Sequence, residues 1–254
     1  MTANATNDLK TQVALATRLL HHYGLATYQG HVSARVPGTN TMVIRCTPDV
    51  SLSIATSENM MVMDFEGTIL SAPASHQGPV PSWRLHSAVY EARSEIMAVV
   101  HTHQKWCTVF GIAGQDVLPV LHPPTASVAA DPWPVFADGS GPVDTDEKAH
   151  LIAKCLGASV ACHLQNHGML FVGTTVSKAV LAAADAEQQA EITWRAMLAG
   201  TVTPIPLEFL EEDVAKRFAP PRPDVRDGVA RGEWNNQEWL DEHTDAAWHR
   251  QTRK

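Results

Sequence analysis

Ile96-Met97-Ala98-Val99-Val100-His101-Thr102-His103 is a compact apolar run that closes on two imidazoles. Its length and β-branched content suit a buried strand better than a helix. Period two then puts His101 and His103 on one face, at the rim where the strand leaves the core. The flanking sequence supplies cover for such a strand. Residues 83–93, opened by 79–82, carry Leu85, Val89 and Tyr90 at helical spacing. Downstream come a helix from about Lys105, a Pro-rich loop over 119–134 and a helix over 144–156. A strand over 158–164 breaks at Asn166-His167-Gly168 and resumes at Met169. A long helix follows over 177–198. Upstream, a helix over 8–23 ends at Gly24, and short β-like pieces fill 27–68, among them 31–36, 41–46 and 60–65. Helices alternating with strands in this order predict an α/β sandwich, with one domain over 1–200. Residues 201–254 form a polar arm whose Trp234, Trp239 and Trp248 are expected to pack on the domain or on a neighbouring subunit.

Composition narrows the functional classes. The 254 residues hold 19 Lys+Arg against 27 Asp+Glu, a net charge of −8, and 44% are hydrophobic. A core of ordinary size is affordable at that length, and disorder is excluded. An acidic balance disfavours nucleic-acid partners, and no apolar run reaches the ~18–20 residues that a membrane span needs. Four cysteines without a CxxC pair read as reduced thiols of a cytoplasmic protein. Thirteen histidines beside three tyrosines direct attention to metal.

His101 and His103, aimed together from a rigid strand, suit a borderline transition-metal ion, although a pair of polar residues can also simply finish a strand. His167 changes the balance. It sits at a second strand break, where Gly168 permits a sharp turn, and as a third imidazole it completes a facial site with open positions. His163 lies four residues before it, roughly 13 Å along an extended chain, and cannot share the ion.

Taken in order, Gly30-His31-Val32-Ser33-Ala34-Arg35, Leu85-His86 with Tyr90, Ala98 through His103, and Gln165-Asn166-His167-Gly168 closely resemble the class II aldolase/adducin family. The resemblance spans about 9–198. It implies an α/β/α sandwich with a central, mainly antiparallel sheet and a homo-tetramer with sites near subunit interfaces. It also implies one divalent ion per subunit, Mn²⁺ or Zn²⁺, held by His101, His103 and His167. The adducin-like, non-enzymatic branch lacks the full ligand set that stands here.

One departure redirects the expected chemistry. Where the family's aldolases carry a metal-binding, proton-transferring glutamate, four residues before the Leu-His histidine, this chain has Ser82. His31 also replaces the usual asparagine of a phosphate-binding turn, which disfavours a phosphorylated sugar. The branch that the chain looks most like is the metal-dependent decarboxylases of hydroxylated aromatic acids. There a ring hydroxyl and its adjacent carboxylate chelate the ion, which acts as a Lewis acid. A less acidic metal face suits such an anionic small-molecule substrate. An aldolase or epimerase acting on a small hydroxy-carbonyl compound is the alternative. In either case Ser82, also a natural helix N-cap, and His86 are the candidate catalytic residues. His31, Ser33, Thr47 and Arg84 are the candidate substrate contacts, Arg84 by clamping a second carboxylate.

Overall fold

The computed structural model describes residues 3–48, 51–138 and 141–220. The first of two compact units is Met1–Ala219. The three tryptophans of the expected arm lie outside the described residues.

Chain order gives α1 (Ala3–His22), β1 (His31–Arg35), β2 (Thr41–Thr47), β3 (Met60–Asp64), β4 (Ile69–Ser71), β5 (Gly78–Pro79) and α2 (Trp83–Ala92). Next are β6 (Ala98–Thr102), α3 (Lys105–Ala113), α4 (Pro123–Ala126), β7 (Val135–Phe136) and α5 (Asp146–Leu156). The last elements are β8 (Ala161–Leu164), β9 (Gly168–Gly173), α6 (Val176–Ala199) and α7 (Glu211–Lys216). One sheet runs β4-β3-β2-β1-β6-β9-β8-β7, with β5 added to β2. Every pairing is antiparallel except β7 with β8. The α/β/α sandwich with a mainly antiparallel sheet is therefore present. Among the described residues no helix is long and apolar enough to cross a membrane.

Alternation along the strands sorts their side chains onto two helix layers. Met42, Ile44, Met61, Met63, Val99, Leu170 and Val172 pack with Leu85 and Val89 of α2 and with Ile152 and Leu156 of α5. Helices α1, α3 and α6 contact the sheet and one another as the second layer. α1 begins earlier than its apolar periodicity indicates, because the buried stripe starts only at Val13 and the first turns are polar. The first unit runs on to Ala219, and within it Phe218 packs against the core, with Arg93 over its ring at 4.5 Å. β6 extends to Thr102, so His101 lies inside the strand, because β9 keeps pairing with it as far as Met169.

Arg35 ties α2 to the sheet. Its guanidinium lies 5.0 Å from the Phe65 ring centroid and 4.9 Å from that of Tyr90. It donates to the carbonyls of Tyr90, of Ile96 at 3.2 Å and of Arg93 at 3.4 Å. Carbonyls at a helix C-terminus have no intrahelical partner and favour a cation, so this arginine satisfies the end of α2. Arg35→Met keeps the stem and removes those donors. We expect a thermal midpoint lower by about 3–10 °C, from a loss of ~1–3 kcal/mol, with metal content unchanged. Thermal melts paired with metal analysis check this.

Candidate metal centre

β6 and β9 assemble the centre of the site. His101 faces Leu170 across the ladder, and its Nδ1–H donates to the Met169 carbonyl at 2.9 Å. That bond leaves the Nε2 lone pair for a ligand. His103, just past the end of β6, brings its Nε2 to 3.1 Å from that of His101. His167 arrives from the β8–β9 turn, where Asn166 adopts a left-handed φ of 61°. Gly168 follows with no room for a side chain. A Cβ there would stand 2.2 Å from the Thr102 carbonyl oxygen and 2.8 Å from His103 Cδ2. Asn-His-Gly is thus the local solution to bringing a third imidazole against a strand already carrying two.

The ring centroids of the three histidines lie 4.9–5.0 Å apart. Their candidate ligand nitrogens all fall within 4.8 Å of one another. Nitrogens ~2.0–2.1 Å from a tetrahedral ion sit roughly 3.3 Å apart, close to the 3.1 Å between His101 and His103. With one Nδ1–H tied back to the backbone, the triad suits a divalent metal. Burial holds His101 well below the ordinary histidine range, and burial followed by His167 takes His103 down to about 4, so both stay neutral ligands at neutral pH.

Two residues behind the triad hold the chain that leaves His103. Gln104 is fully buried; its amide donates to the Ala183 carbonyl at 3.2 Å and accepts from the Thr102 hydroxyl at 2.7 Å. Glu187 of α6 accepts from the backbone N–H groups of Trp106 and Cys107, at 2.8 and 3.0 Å. Neither was a candidate from the sequence. The available signal was that Gln104, at the N-cap of α3, is a poor capping residue, so the free N–H groups needed a carboxylate from elsewhere.

A row of buried polar side chains adjoins the metal ligands. His31 is the cross-strand partner of His101, and their rings are 5.1 Å apart. His31 Nδ1 is 2.7 Å from His86 Nε2, His86 Nδ1 is 2.7 Å from Ser33 Oγ, and Ser33 Oγ is 2.7 Å from the Tyr90 hydroxyl. Burial takes His86 down to about 3, pushes His31 down as well and pushes the Tyr90 phenol up. Arg45 of β2, 1% exposed, was not singled out in the sequence, yet its positive charge also bears on His31.

The expected supporting residues separate in this geometry. His31 adjoins the triad, whereas His86 and Ser33 are 0% exposed, enclosed behind it, and meet protein partners. Arg84 does not stand free for a substrate carboxylate: Nε pairs with Asp146 at 2.9 Å and the guanidinium lies 4.6 Å from the Trp83 centroid, in the α2–α5 contact. Thr47 donates its hydroxyl to the Gly78 carbonyl at 3.0 Å, where β5 joins β2, so its side chain serves that pairing rather than a ligand. Ser82 stands at the start of α2 and makes no side-chain capping bond, which leaves its half-buried hydroxyl uncommitted one turn ahead of His86. His163 lies apart, 5.4 Å from the Trp133 ring and against Gly111, with burial taking it down to about 4.

Two outcomes follow from this geometry. Gly168→Ala should weaken metal binding by at least about 10-fold, because the new methyl displaces Thr102 and His103 together; equilibrium dialysis against Zn²⁺ measures it. The second concerns pH. The unfolded chain gains protons on His86 and His163 below about 6.5, while the folded metal-free protein resists until about 3 and about 4, respectively. Their contribution is present above pH ~6.5 and is lost as pH falls toward those values. The thermal midpoint of the chelated protein should decline steadily from pH ~6.5 to ~4, and less steeply in His163→Gln.

Comparison with known proteins places the chain in a family. Residues 11–194 match the family described as Class II Aldolase and Adducin N-terminal domain. A 3,4-dihydroxyphthalate decarboxylase of Arthrobacter keyseri is 28% identical over 199 residues, 74% of this chain and 78% of that protein. A 5-methylthioribulose-1-phosphate/5-deoxyribulose-1-phosphate aldolase of Escherichia coli is 30% identical over 167 residues, 64% of this chain and 72% of that protein. Among solved structures, an L-fuculose 1-phosphate aldolase from Glaciozyma antarctica shares the fold with a TM-score of 0.77 at 20% identity, covering 97% of this chain and 94% of that one. With its histidine triad on β6 and the β8–β9 turn and its sequence matched over most of the sandwich, the chain belongs to the class II aldolase and adducin N-terminal domain family.

Proposed function

We propose that the protein is a metal-dependent, non-oxidative decarboxylase of a hydroxylated aromatic or heteroaromatic carboxylic acid. The observation that carries this reading is a complete histidine triad together with Ser82, in place of a carboxylate, at the start of the helix that carries His86. The similarity to a decarboxylase that acts on a dihydroxylated aromatic dicarboxylate supports it. When bound, a Zn²⁺ or Mn²⁺ ion supplies Lewis acidity to a chelating pair of oxygens, the ring hydroxyl and the adjacent carboxylate. His31 lines the same space with a neutral ring, and the Ser82 hydroxyl offers a hydrogen bond without negative charge. The bond from ring carbon to carboxylate breaks, its electron pair stays on the ring, CO₂ leaves and a proton takes its place. His86, fully enclosed, reaches a bound substrate only through His31. The reading carries with it a cytoplasmic homo-tetramer, for which family membership is the support.

A product assay on protein loaded with Zn²⁺ or Mn²⁺ tests the proposal, following CO₂ and aldehyde together over hydroxylated aromatic acids and small hydroxy-carbonyl compounds. We expect metal-dependent CO₂ release that drops at least about 100-fold in His101→Ala. Ser82→Glu places a like charge beside an anionic chelate and should raise its KM by about 10-fold while tightening metal binding. Aldehyde without CO₂ would transfer the protein to the aldolase reading, for which the 30% identical aldolase is the precedent.

A further inference from the structure

The row Tyr90–Ser33–His86–His31 has a direction, and the direction follows from where each hydrogen can go. Tyr90 is 1% exposed, so its phenol is enclosed and must find its hydrogen-bond partner within the protein. Its own hydroxyl hydrogen therefore needs an acceptor, and among the described residues Ser33 Oγ at 2.7 Å is the one in reach. Ser33 is 0% exposed; having accepted from Tyr90, it must donate, and its other neighbour is His86 Nδ1 at 2.7 Å. A neutral imidazole that accepts at Nδ1 carries its hydrogen on Nε2. His86 Nε2–H then donates to His31 Nδ1 at 2.7 Å, which in turn places the hydrogen of His31 on its own Nε2. In this direction each donor in the row has one acceptor. Run in reverse, the Tyr90 hydrogen is left buried without one.

At the open end stands His31. Of the four residues it is the most exposed, at 7%. Its Nε2 has no partner among the described residues and is not closed off from solvent-accessible space. It pairs with His101 across β1 and β6, so the free N–H sits beside the metal ligands.

We infer that Tyr90, Ser33 and His86 are positioning residues that lock His31 as its Nε2–H tautomer, making it a fixed N–H donor beside the triad that selects ligands carrying an acceptor oxygen next to the one on the metal. The choice of a carboxylate as that acceptor rests on the function proposed above; the tautomer does not. A rigid donor discriminates well because its orientation is set before binding, and a ligand lacking the acceptor leaves the N–H unpaired.

Two measurements test the inference. The first uses protein labelled with ¹⁵N in its histidines and loaded with Zn²⁺, observed by long-range ¹H–¹⁵N correlation at neutral pH, with His31 assigned from His31→Gln. We expect His31 and His86 both protonated at Nε2, and a mixture of tautomers for both in Ser33→Ala. A His31 protonated at Nδ1, or tautomers untouched by Ser33→Ala, overturns the relay. The second measures binding of 2-hydroxybenzoate and of phenol, which has no adjacent acceptor oxygen, to the Zn²⁺-loaded variants. Loss of one hydrogen bond to a charged oxygen corresponds to roughly 10–100-fold. His31→Leu should therefore weaken 2-hydroxybenzoate by at least about 10-fold and phenol by much less, while His31→Gln, which keeps an N–H, should stay within about 3-fold of the parent. Equal losses for both ligands overturn the selective role of His31. If the parent protein shows the expected tautomers but ignores 2-hydroxybenzoate, the relay stands and the proposed decarboxylase reading falls.

Discussion

The register between β6 and β9 is the constraint on which the rest of the molecule depends. His101 opposite Leu170 and Thr102 opposite Met169 put one metal-ligand imidazole against the Met169 carbonyl and bring Gly168 flush with Thr102. A slip of one residue would turn His101 to the other face of the sheet and carry His167 away with the turn. The pairing is held from both sides. Val99, Leu170 and Val172 bury apolar surface against the α2–α5 layer, each fully buried side chain contributing roughly 1.5–3 kcal/mol, while α6 packs on the opposite face. The core thus selects the register, and the register places the chemistry.

A second consequence concerns charge. The histidine triad, His31, His86 and the buried Arg45 occupy one region, and burial disfavours a proton on His31, His86, His101 and His103. Burial is the main cause in each case, and neighbouring imidazoles add to it. The result is a set of lone pairs and fixed N–H groups whose states do not fluctuate near neutral pH, which suits metal ligation and oriented hydrogen bonding more than proton storage.

Much of this was legible in the sequence, for identifiable reasons. His101, His103 and His167 stand where strand ends are signalled by apolar runs and by an Asn-His-Gly break, so residue type and local pattern were enough. The long helices were equally visible, because their buried faces repeat every turn. The strand order was not: β1 lies between its chain neighbour β2 and the distant β6, and β4, β5 and β7 are too short to show periodicity. Supporting side chains were the hardest to place. Ser82 and Arg84 are two residues apart on the same helix start, yet one leaves its hydroxyl uncommitted and the other is drawn to Asp146 by the packing of α5. Spacing along α2 put His86 on the correct face but could not show that His31 would stand in front of it. Glu187 lies on a different helix from the loop that it anchors, and contacts of that kind are set by tertiary structure.

The ligands also come from parts of the chain that meet only when the sheet closes. His101 and His103 leave one strand, and His167 enters the next after a long excursion through α3, α4, β7, α5 and β8. An open chain offers an ion at most the near pair, so affinity for three imidazoles is available to the closed sheet alone. An ion held by the triad would therefore link its occupancy to folding, as a clasp on the two central strands. Metal supply would then bear on the lifetime of the fold as well as on chemistry: a molecule without the ion would open more readily at the middle of its sheet, where proteases and aggregation partners find the strands that the clasp would have kept shut.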